Sequence, residues 1–206
     1  MKNGYGLGEL VKNTISIIYT RIFFKNARLI RRPIYVRGKD LLSYGKGLTT
    51  GYNCRLEMFD VHSNNSPKLT LGDNCKIGDN VHIAAGERVV IGNNCLLASK
   101  IYISDISHGD YSKSEDATNP NIPPDKRKLT TNPVIIGNNV WIGDNVSILP
   151  GVKIGNGVVI GANAVVNMDI PENSIAVGVP AEVVKYFCLE TKTWKRVTKD
   201  RSAVRN

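Results

Sequence analysis

Aromatic residues are scarce in this 206-residue chain: Phe, Trp and Tyr make up 7% of it, although hydrophobic residues as a whole make up 42%. A core with so few aromatic rings has to be built from Val, Ile and small residues, a composition that favours β structure. The length suits one core domain with short appendages.

Other absences exclude whole classes of function. The four cysteines are scattered and form no C-x-x-C pair, so neither a zinc site of that kind nor a dithiol redox motif is indicated. The longest apolar clusters near the start are interrupted by Thr20 and Arg21, and no run approaches the ~20 apolar residues that span a bilayer. The net charge is +9. No basic stretch is interleaved with aromatic residues, however, so we expect no nucleic-acid partner.

A six-residue pattern recurs along the chain. Each copy has an aliphatic residue, then Gly, then two mostly polar residues and a small one, and the copies begin at Leu71, Ile77, Ile91, Ile136, Ile142, Ile154 and Ile160. A period of six indicates a short strand and a tight corner per repeat, with the aliphatic residue facing a core shared between stacked repeats. Gly and Asn suit the corner because they tolerate a positive φ.

Three repeats make one triangular coil, so the sequence predicts an all-β solenoid, a parallel β-helix. The predicted inward positions are 71, 77 and 83, then 91, 97 and 103, then 136, 142 and 148, and finally 154, 160 and 166. The step from Ile83 to Ile91 is eight, which implies a two-residue insertion near Gly86 and Glu87. Upstream, the six-residue step is kept more loosely by Val36, Leu42, Leu48 and Cys54.

The periodicity divides the chain into three parts. Residues 1–33 predict a helical segment with an apolar stripe and basic residues; it either caps the first coil or anchors the protein at a membrane surface. Residues 34–181 form the β-helix, interrupted by a long loop at 104–133, and such insertions are usually functional. Residues 182–206 form a basic tail in which a short helix is allowed.

The repeats resemble the hexapeptide-repeat acyltransferase superfamily, and most of all its galactoside, maltose and lipopolysaccharide O-acetyltransferase branch. Residues 91–108, 133–155 and 161–181 carry the likeness, the last ending in Gly178-Val179-Pro180-Ala181. The resemblance implies a left-handed β-helix, a homotrimer with sites at subunit boundaries, and acetyl transfer from acetyl-CoA to a sugar hydroxyl. Left-handedness rests on the resemblance alone, because the general crossover rule favours right-handed connections.

The same resemblance assigns catalytic roles. His108 holds the position of the general base, and a near-neutral imidazole is suited to accept a proton from a sugar hydroxyl. Asp105 and Asp110 flank it, and we favour Asp105 as the group that orients the ring. A backbone N–H of Gly143 or Asp144 would stabilise the oxyanion of the tetrahedral intermediate.

Contacts to the two substrates follow by position. The coenzyme is expected to meet Trp141, Ala162, Asn167, Met168 and Lys185. Asn167 and Met168 stand where this family commonly has Thr-Lys, a departure that leaves the phosphate contact open. The acceptor pocket is expected to include His82, Ser104 and Tyr111.

Other functions are also compatible with parts of the sequence. Serine or an antibiotic could replace the sugar as acceptor, and a non-catalytic β-helix could merely bind a ligand. The carbonic anhydrases of this fold hold zinc with three histidines, but the three histidines here have no such close spacing, so no metal is expected. A basic N-terminus fits an acceptor in polysaccharide or lipopolysaccharide synthesis, with the protein cytoplasmic, peripheral on the inner face of the membrane.

Overall fold

The computed structural model describes residues 6–112 and 117–197. These residues form one α-helix, α1 (Leu7–Phe23), two short 3-10 helices (Lys39–Leu41 and Pro124–Lys126) and strands β1 to β22. The chain visits three sheets in turn, one strand per sheet in each coil, and the pairing within the coils is parallel.

Each sheet gathers strands that lie far apart in the sequence. The first sheet contains β1 (Leu29–Ile30), β4 (Thr49–Thr50), β7 (Lys76–Ile77), β10 (Leu96–Leu97), β15 (Trp141–Ile142), β18 (Val159–Ile160), β20 (Ser174–Val177), β21 (Glu182–Cys188) and β22 (Thr193–Arg196). The second contains β2 (Ile34–Arg37), β5 (Cys54–Met58), β8 (His82–Ala85), β11 (Tyr102–Ser104), β16 (Ser147–Ile148) and β19 (Val165–Val166). The third contains β3 (Leu42–Tyr44), β6 (Leu69–Leu71), β9 (Val89–Ile91), β14 (Val134–Ile136) and β17 (Lys153–Ile154).

The predicted inward positions form the core. All twelve positions from Leu71 to Val166 are at most 4% exposed. They stack in register from coil to coil, as Ile83, Ile103 and Ile148 do in the second sheet. The residue two places before each is also aliphatic or small in most repeats and is buried as well, as at Leu69.

Between Val36 and residue 59 the predicted register is wrong by two residues, whereas Val36 itself lies in the inward row, paired with Leu56. Tyr44, Thr50 and Leu56, rather than the residues at 42, 48 and 54, pair with Leu71 and its successors in the next coil. Leu48 and Cys54 are nonetheless buried. Because two positions of each repeat are buried, an apolar pattern with period six fits either alignment. The structure inserts two residues between Val36 and Tyr44, where the chain forms a 3-10 turn.

The corners are formed by asparagines in the left-handed region. The corner asparagines with φ between 56° and 62° are Asn53, Asn74, Asn80, Asn94, Asn139, Asn145 and Asn163. Some also bond to the next coil, as when Asn145 Nδ2 donates to Asn163 Oδ1 at 2.9 Å. The asparagines therefore fix both the turn and the stacking of coils.

Helix α1 rests on the first coil through its polar side. Ser16 and Thr20 are 1% and 2% exposed, and Thr20 Oγ1 accepts the Ile30 N–H at 2.8 Å. The prediction of a helical segment through residue 33 is wrong in its second part: the helix ends at Phe23, and Leu29 and Ile30 of the predicted stripe form β1, where Ile30 is buried. The stripe residues within α1 lie on the side opposite Ser16 and are 49–81% exposed; they are Leu7, Leu10, Val11, Ile15, Ile18 and Ile22. The stripe therefore does not cap the coil. Among the described helices, none has the length and hydrophobicity needed to cross a membrane.

The other end of the solenoid is closed by strands. The sequence allows a short helix after residue 181, but this segment forms the strands β21 and β22 instead. Both strands continue the first sheet in antiparallel fashion. Phe187 and Trp194 pack edge to face across this pair. The edge of β20 offers unpaired N–H and C=O groups, and β21 pairs with them as a strand. This pairing is not apparent from the local sequence.

The loop at 104–133 forms a hairpin outside the coils. Its strands β12 (Ile106–His108) and β13 (Leu129–Thr131) are antiparallel, with His108 opposite Leu129. The hairpin leaves the end of β11 and returns to β14, so it overhangs the corner between the second and third sheets.

Asn145→Ala is expected to destabilise the protein by about 1–2 kcal/mol, because Ala at φ 58° meets a steric penalty that Asn tolerates. Asn145→Gly, which keeps the backbone free but removes the side chain, should cost less. Urea unfolding of both variants measures the difference. Equal losses would mean that the bond to Asn163, not the backbone, governs this corner.

Candidate active site

A cavity of about 320 Å³ lies between the outer face of the second sheet and the hairpin. The sheet contributes outward-facing side chains and the hairpin closes the opposite wall. The lining residues are Glu57, Phe59, His82, Ala84, Tyr102, Ser104, Ile106, His108 and Leu129. Three residues predicted for the site, two as acceptor contacts and one as the base, thus line one space.

His108 stands at the end of β12 with an exposed side chain. Its backbone is fixed, because the Tyr111 hydroxyl donates to the His108 carbonyl at 2.6 Å and Thr130 Oγ1 donates to the next carbonyl, of Gly109, at 2.8 Å. Within residues 6–112 and 117–197, no side chain hydrogen-bonds to its imidazole. The ring is positioned by the hairpin and open to a substrate.

His82 is the other histidine of the cavity, and it has an acidic partner. Its Nε2 lies 3.0 Å from Glu57 Oε2, and Arg55 Nε lies 2.5 Å from the same oxygen. Burial acts to raise the pKa of Glu57, but the hydrogen bonds from Arg55 and His82 outweigh it and leave that pKa below its usual value. Glu57 is therefore ionised at neutral pH.

Asp105 does not orient His108, contrary to the expectation from sequence. Its side chain is fully buried, and the carboxylate accepts the backbone N–H groups of Gly86, Glu87 and Arg88 at 2.6, 2.9 and 2.6 Å. Those three residues lie at the two-residue insertion that the repeat spacing predicts near Gly86 and Glu87. The extra residues break the strand pairing, and Asp105 satisfies the amides that the break exposes.

Tyr111 also lies outside the His108 cavity. It lines a second cavity of about 650 Å³ on the other side of the hairpin, together with Asp110, Asn132 and Asn167. The Tyr111 hydroxyl accepts a hydrogen bond from Arg127 Nη1 at 2.7 Å. Tyr111 therefore braces the hairpin, and alternate residues of β12 face the two cavities, with Ser107 towards the second.

The two amides predicted for the oxyanion differ in availability. The Gly143 N–H donates to the Ile160 carbonyl at 2.8 Å and is occupied by coil stacking. At the same corner of the lower coils, the next amide is met by a side chain from the coil above: Asp79 N–H by Ser99 Oγ and Ser99 N–H by Asp144 Oδ1. Above Asp144 stands Ala162, whose methyl side chain cannot accept a hydrogen bond. Among the described residues, nothing accepts the Asp144 N–H.

The residues assigned to the coenzyme occupy two different corners. Asp144 and Ala162 lie between strands of the first and second sheets, and Trp141, 52% exposed, lies just before that corner on the first sheet. Asn167 and Met168 follow β19, at the corner between the second and third sheets where the hairpin also lies. One chain alone does not bring these groups together.

Lys185 lies near the first of these corners. It pairs with Ile175 on the neighbouring strand of the first sheet, in the row of outward positions that contains Trp141. Within the described residues, no cluster of three or more His, Cys, Asp or Glu side chains is arranged to hold a metal ion.

Sequence reasoning missed Glu57, Arg55 and Tyr102. Tyr102 was discoverable, because it precedes the inward Ile103 and must face outward beside His82. Glu57 and Arg55 lie in the upstream coil where the predicted register was wrong by two residues, so their partners on the neighbouring strand could not be assigned.

The sequence of the chain matches a known protein family and a known relative. The bacterial transferase hexapeptide family (six repeats) matches residues 133–167. The chain is 43% identical over 192 residues to WbbJ of Escherichia coli K12, covering 93% of this chain and 95% of that protein, whose name assigns it to lipopolysaccharide biosynthesis as an O-acetyl transferase.

Solved structures share the fold. AntD, an N-acyltransferase from Bacillus cereus in complex with dTDP and 3-hydroxybutyryl-CoA, aligns with a TM-score of 0.65 at 25% identity over 90% of each chain. The hexapeptide-repeat acetyltransferase VCA0836 from Vibrio cholerae aligns with a TM-score of 0.50 at 22% identity, over 84% of this chain and 80% of that one. Because its likeness to WbbJ extends over nearly the whole length of both proteins, the chain belongs to the hexapeptide-repeat transferases, in the family of WbbJ.

Proposed function

We propose that the chain is an acetyl-CoA-dependent O-acetyltransferase whose acceptor is a sugar of lipopolysaccharide or another surface polysaccharide. The observation that carries the proposal is the cavity lined by His108, His82 and Ser104, in a chain related to WbbJ. We also infer that the three-sheet solenoid winds with the left hand, as the family resemblance implies.

The chemistry assigned to His108 is general base catalysis. The acceptor hydroxyl gives its proton to the imidazole as its oxygen attacks the thioester carbonyl, forming a tetrahedral oxyanion. Collapse of the intermediate expels the coenzyme A thiolate, which takes the proton back from His108. No side chain of the described residues orients the imidazole ring. We assign its orientation to the hairpin backbone and to the bound substrates.

The amide of Asp144 suits the oxyanion or the thioester arm, since no acceptor in the described part of its own chain competes for this donor. It lies at the corner before β16, whereas the His108 hairpin lies at the corner after β11. Because these strands are neighbours in one sheet, the two groups stand at opposite ends of its strands. We infer that they meet only across two chains, which supports a homotrimer with sites at its subunit boundaries.

Arg127, a basic residue of the loop, is not available to the coenzyme phosphates. Arg127 is engaged by the Tyr111 hydroxyl and by the carbonyls of Ile122 and Pro120, so it braces the loop. Lys185 stays available at the first corner, and we assign it to the phosphates that the missing Thr-Lys pair would otherwise meet.

The exposed stripe of α1 supports a peripheral membrane contact. A surface helix normally buries its apolar face, but here the polar face carrying Ser16 and Thr20 packs on the coil. Basic residues lie beside or just after the stripe, as Lys12, Arg21 and Lys25 do. Apolar residues flanked by positive charge favour the interface of an anionic membrane, and the reaction would then take place at its cytoplasmic face.

His108→Ala should reduce acetyl transfer by about 10²–10⁴-fold, the range for a lost general base. The assay follows free thiol released from acetyl-CoA in a panel of acceptors that includes sugars, serine and hydroxylated antibiotics. Coenzyme binding, measured by calorimetry, should stay nearly unchanged because its assigned contacts lie elsewhere.

His62→Ala provides the matched control, since His62 is an exposed histidine that contacts the outside of the hairpin. It should retain most of the activity. Near-full turnover in His108→Ala would remove the catalytic assignment, and release of thiol with none of the acceptors would remove the proposed function.

Complementation tests the shared site. His108→Ala and Ala162→Tyr should each be inactive, the second because a bulky side chain at an exposed corner blocks the coenzyme. When the two are unfolded together and refolded at equal amounts, about a quarter of the wild-type activity should return, because random trimers then pair an intact hairpin with an intact corner. A mixture as inactive as its parts would place the whole site in one chain.

Substitutions in the exposed apolar stripe of α1 test the membrane contact. Replacing Ile15 and Ile18 together by Ser should lower cosedimentation with phosphatidylglycerol vesicles by about tenfold or more, because buried apolar area drives interfacial binding. Leu189→Ser, at an apolar residue 73% exposed, is the control. If the double variant instead shifts the protein to a smaller assembly, the stripe is a subunit contact.

A further inference from the structure

Four side chains form a row across the outer face of the second sheet. Tyr35 pairs with Arg55, Arg55 with His82, and His82 with Tyr102, on the adjacent strands β2, β5, β8 and β11. Each precedes a residue that stacks towards the core, so all four point outward. Three strand spacings separate the end members, or about 14 Å. We call Tyr35, Arg55, His82 and Tyr102 the tyrosine strip.

The strip is held in place by contacts among its members. The Arg55 guanidinium lies 5.7 Å from the centre of the Tyr35 ring, and the His82 and Tyr102 ring centres are 5.4 Å apart. Glu57, 5% exposed, joins the two halves by bonding to both Arg55 and His82. A surface row tied together in this way loses little conformational entropy when a ligand binds.

The chemistry of the strip suits a neutral ligand rich in hydroxyl groups. The charges of Arg55 and Glu57 offset each other. The guanidinium of Arg37, in the neighbouring row beside Glu57, lies over the Phe59 ring at 4.7 Å. Its ends are exposed rings, Tyr35 at 53% and Tyr102 at 38%, and a tyrosine offers an apolar face with a polar tip. A sugar is complementary, because its ring has C–H groups on a face and hydroxyls along the edge.

The strip is continuous with the proposed acceptor cavity. His82 and Tyr102 line that cavity beside His108, whereas Tyr35 and Arg55 lie beyond it on the same face. At about 320 Å³ the cavity is at the small end of the range for ligand sites. A longer saccharide with one unit in the cavity would have to extend over the sheet, and the strip is the row that continues there.

We propose that the tyrosine strip binds the sugar units next to the one that is acetylated, so that the acceptor is an oligosaccharide rather than a free monosaccharide. This rests on the proposed function, because it takes the cavity at His108 as the place of acetyl transfer. Tyr35 is a binding and specificity residue here, and it takes no part in the chemical step.

The test uses the full-length protein, fluorescently labelled, on a glycan array that carries mono-, di- and oligosaccharides sharing the same terminal sugars. The wild type should bind some longer glycans more strongly than their one-sugar counterparts. Tyr35→Ala should weaken that binding by about tenfold, as expected for a lost aromatic anchor. Tyr186→Ala, at a tyrosine 45% exposed on β21, should bind as the wild type does.

Several results would overturn the proposal: binding to no glycan, equal binding to short and long glycans, or unchanged binding by Tyr35→Ala. Sedimentation of Tyr35→Ala at a reduced mass would also overturn it, since the strip would then be covered by another subunit. Thiol release is measured separately on the glycans that bind. Binding with no acetyl transfer would contradict the proposed function while leaving the strip as a saccharide site.

Discussion

Each hexapeptide buries two aliphatic side chains against the coils above and below it, and no single coil can bury them alone. Ile83, for example, is covered only because Leu56 and Ile103 stack on either side of it. The core is therefore a column, and its strands are short because each must turn after two to five residues. This leaves the outward positions almost free of folding constraints. Functional side chains can occupy them at little cost to stability.

Backbone amides at the corners set the second constraint. At each corner the Gly and Asn N–H groups bond to backbone carbonyls of neighbouring coils, but the N–H of the residue between them needs an acceptor from a side chain of the next coil. Asp144 supplies one for Ser99, and Asp105 supplies three for the insertion at residues 86–88. The same arrangement explains the exception: where Ala162 stands above Asp144, no side chain of the described residues accepts the Asp144 N–H. We propose that this donor serves a substrate.

The candidate site combines both consequences. Its floor consists of outward positions from three coils, represented by Glu57, His82 and Ser104, and its roof is the hairpin with His108. A hairpin is needed because side chains on a flat sheet face cannot surround a ligand. The hairpin is stiffened by Tyr111 and Arg127, which hold its backbone with hydrogen bonds. Tyr111 and Arg127 thus fix the backbone around His108 without hydrogen-bonding to its imidazole.

The sequence by itself determined the repeat, the inward column from Leu71 to Val166, the asparagine corners and the place of the hairpin, because each depends on spacing within a few residues. His108 and Ser104 were assigned to one site from the family resemblance, and spacing alone did not give that assignment. Tertiary structure alone decided the upstream register, since two buried positions per repeat leave the alignment ambiguous. It also decided the partners of Asp105 and Glu57 and the outward side of α1. Those depend on which coil lies next to which, and contacts between residues about 20 or more apart in the chain are not written in any local pattern.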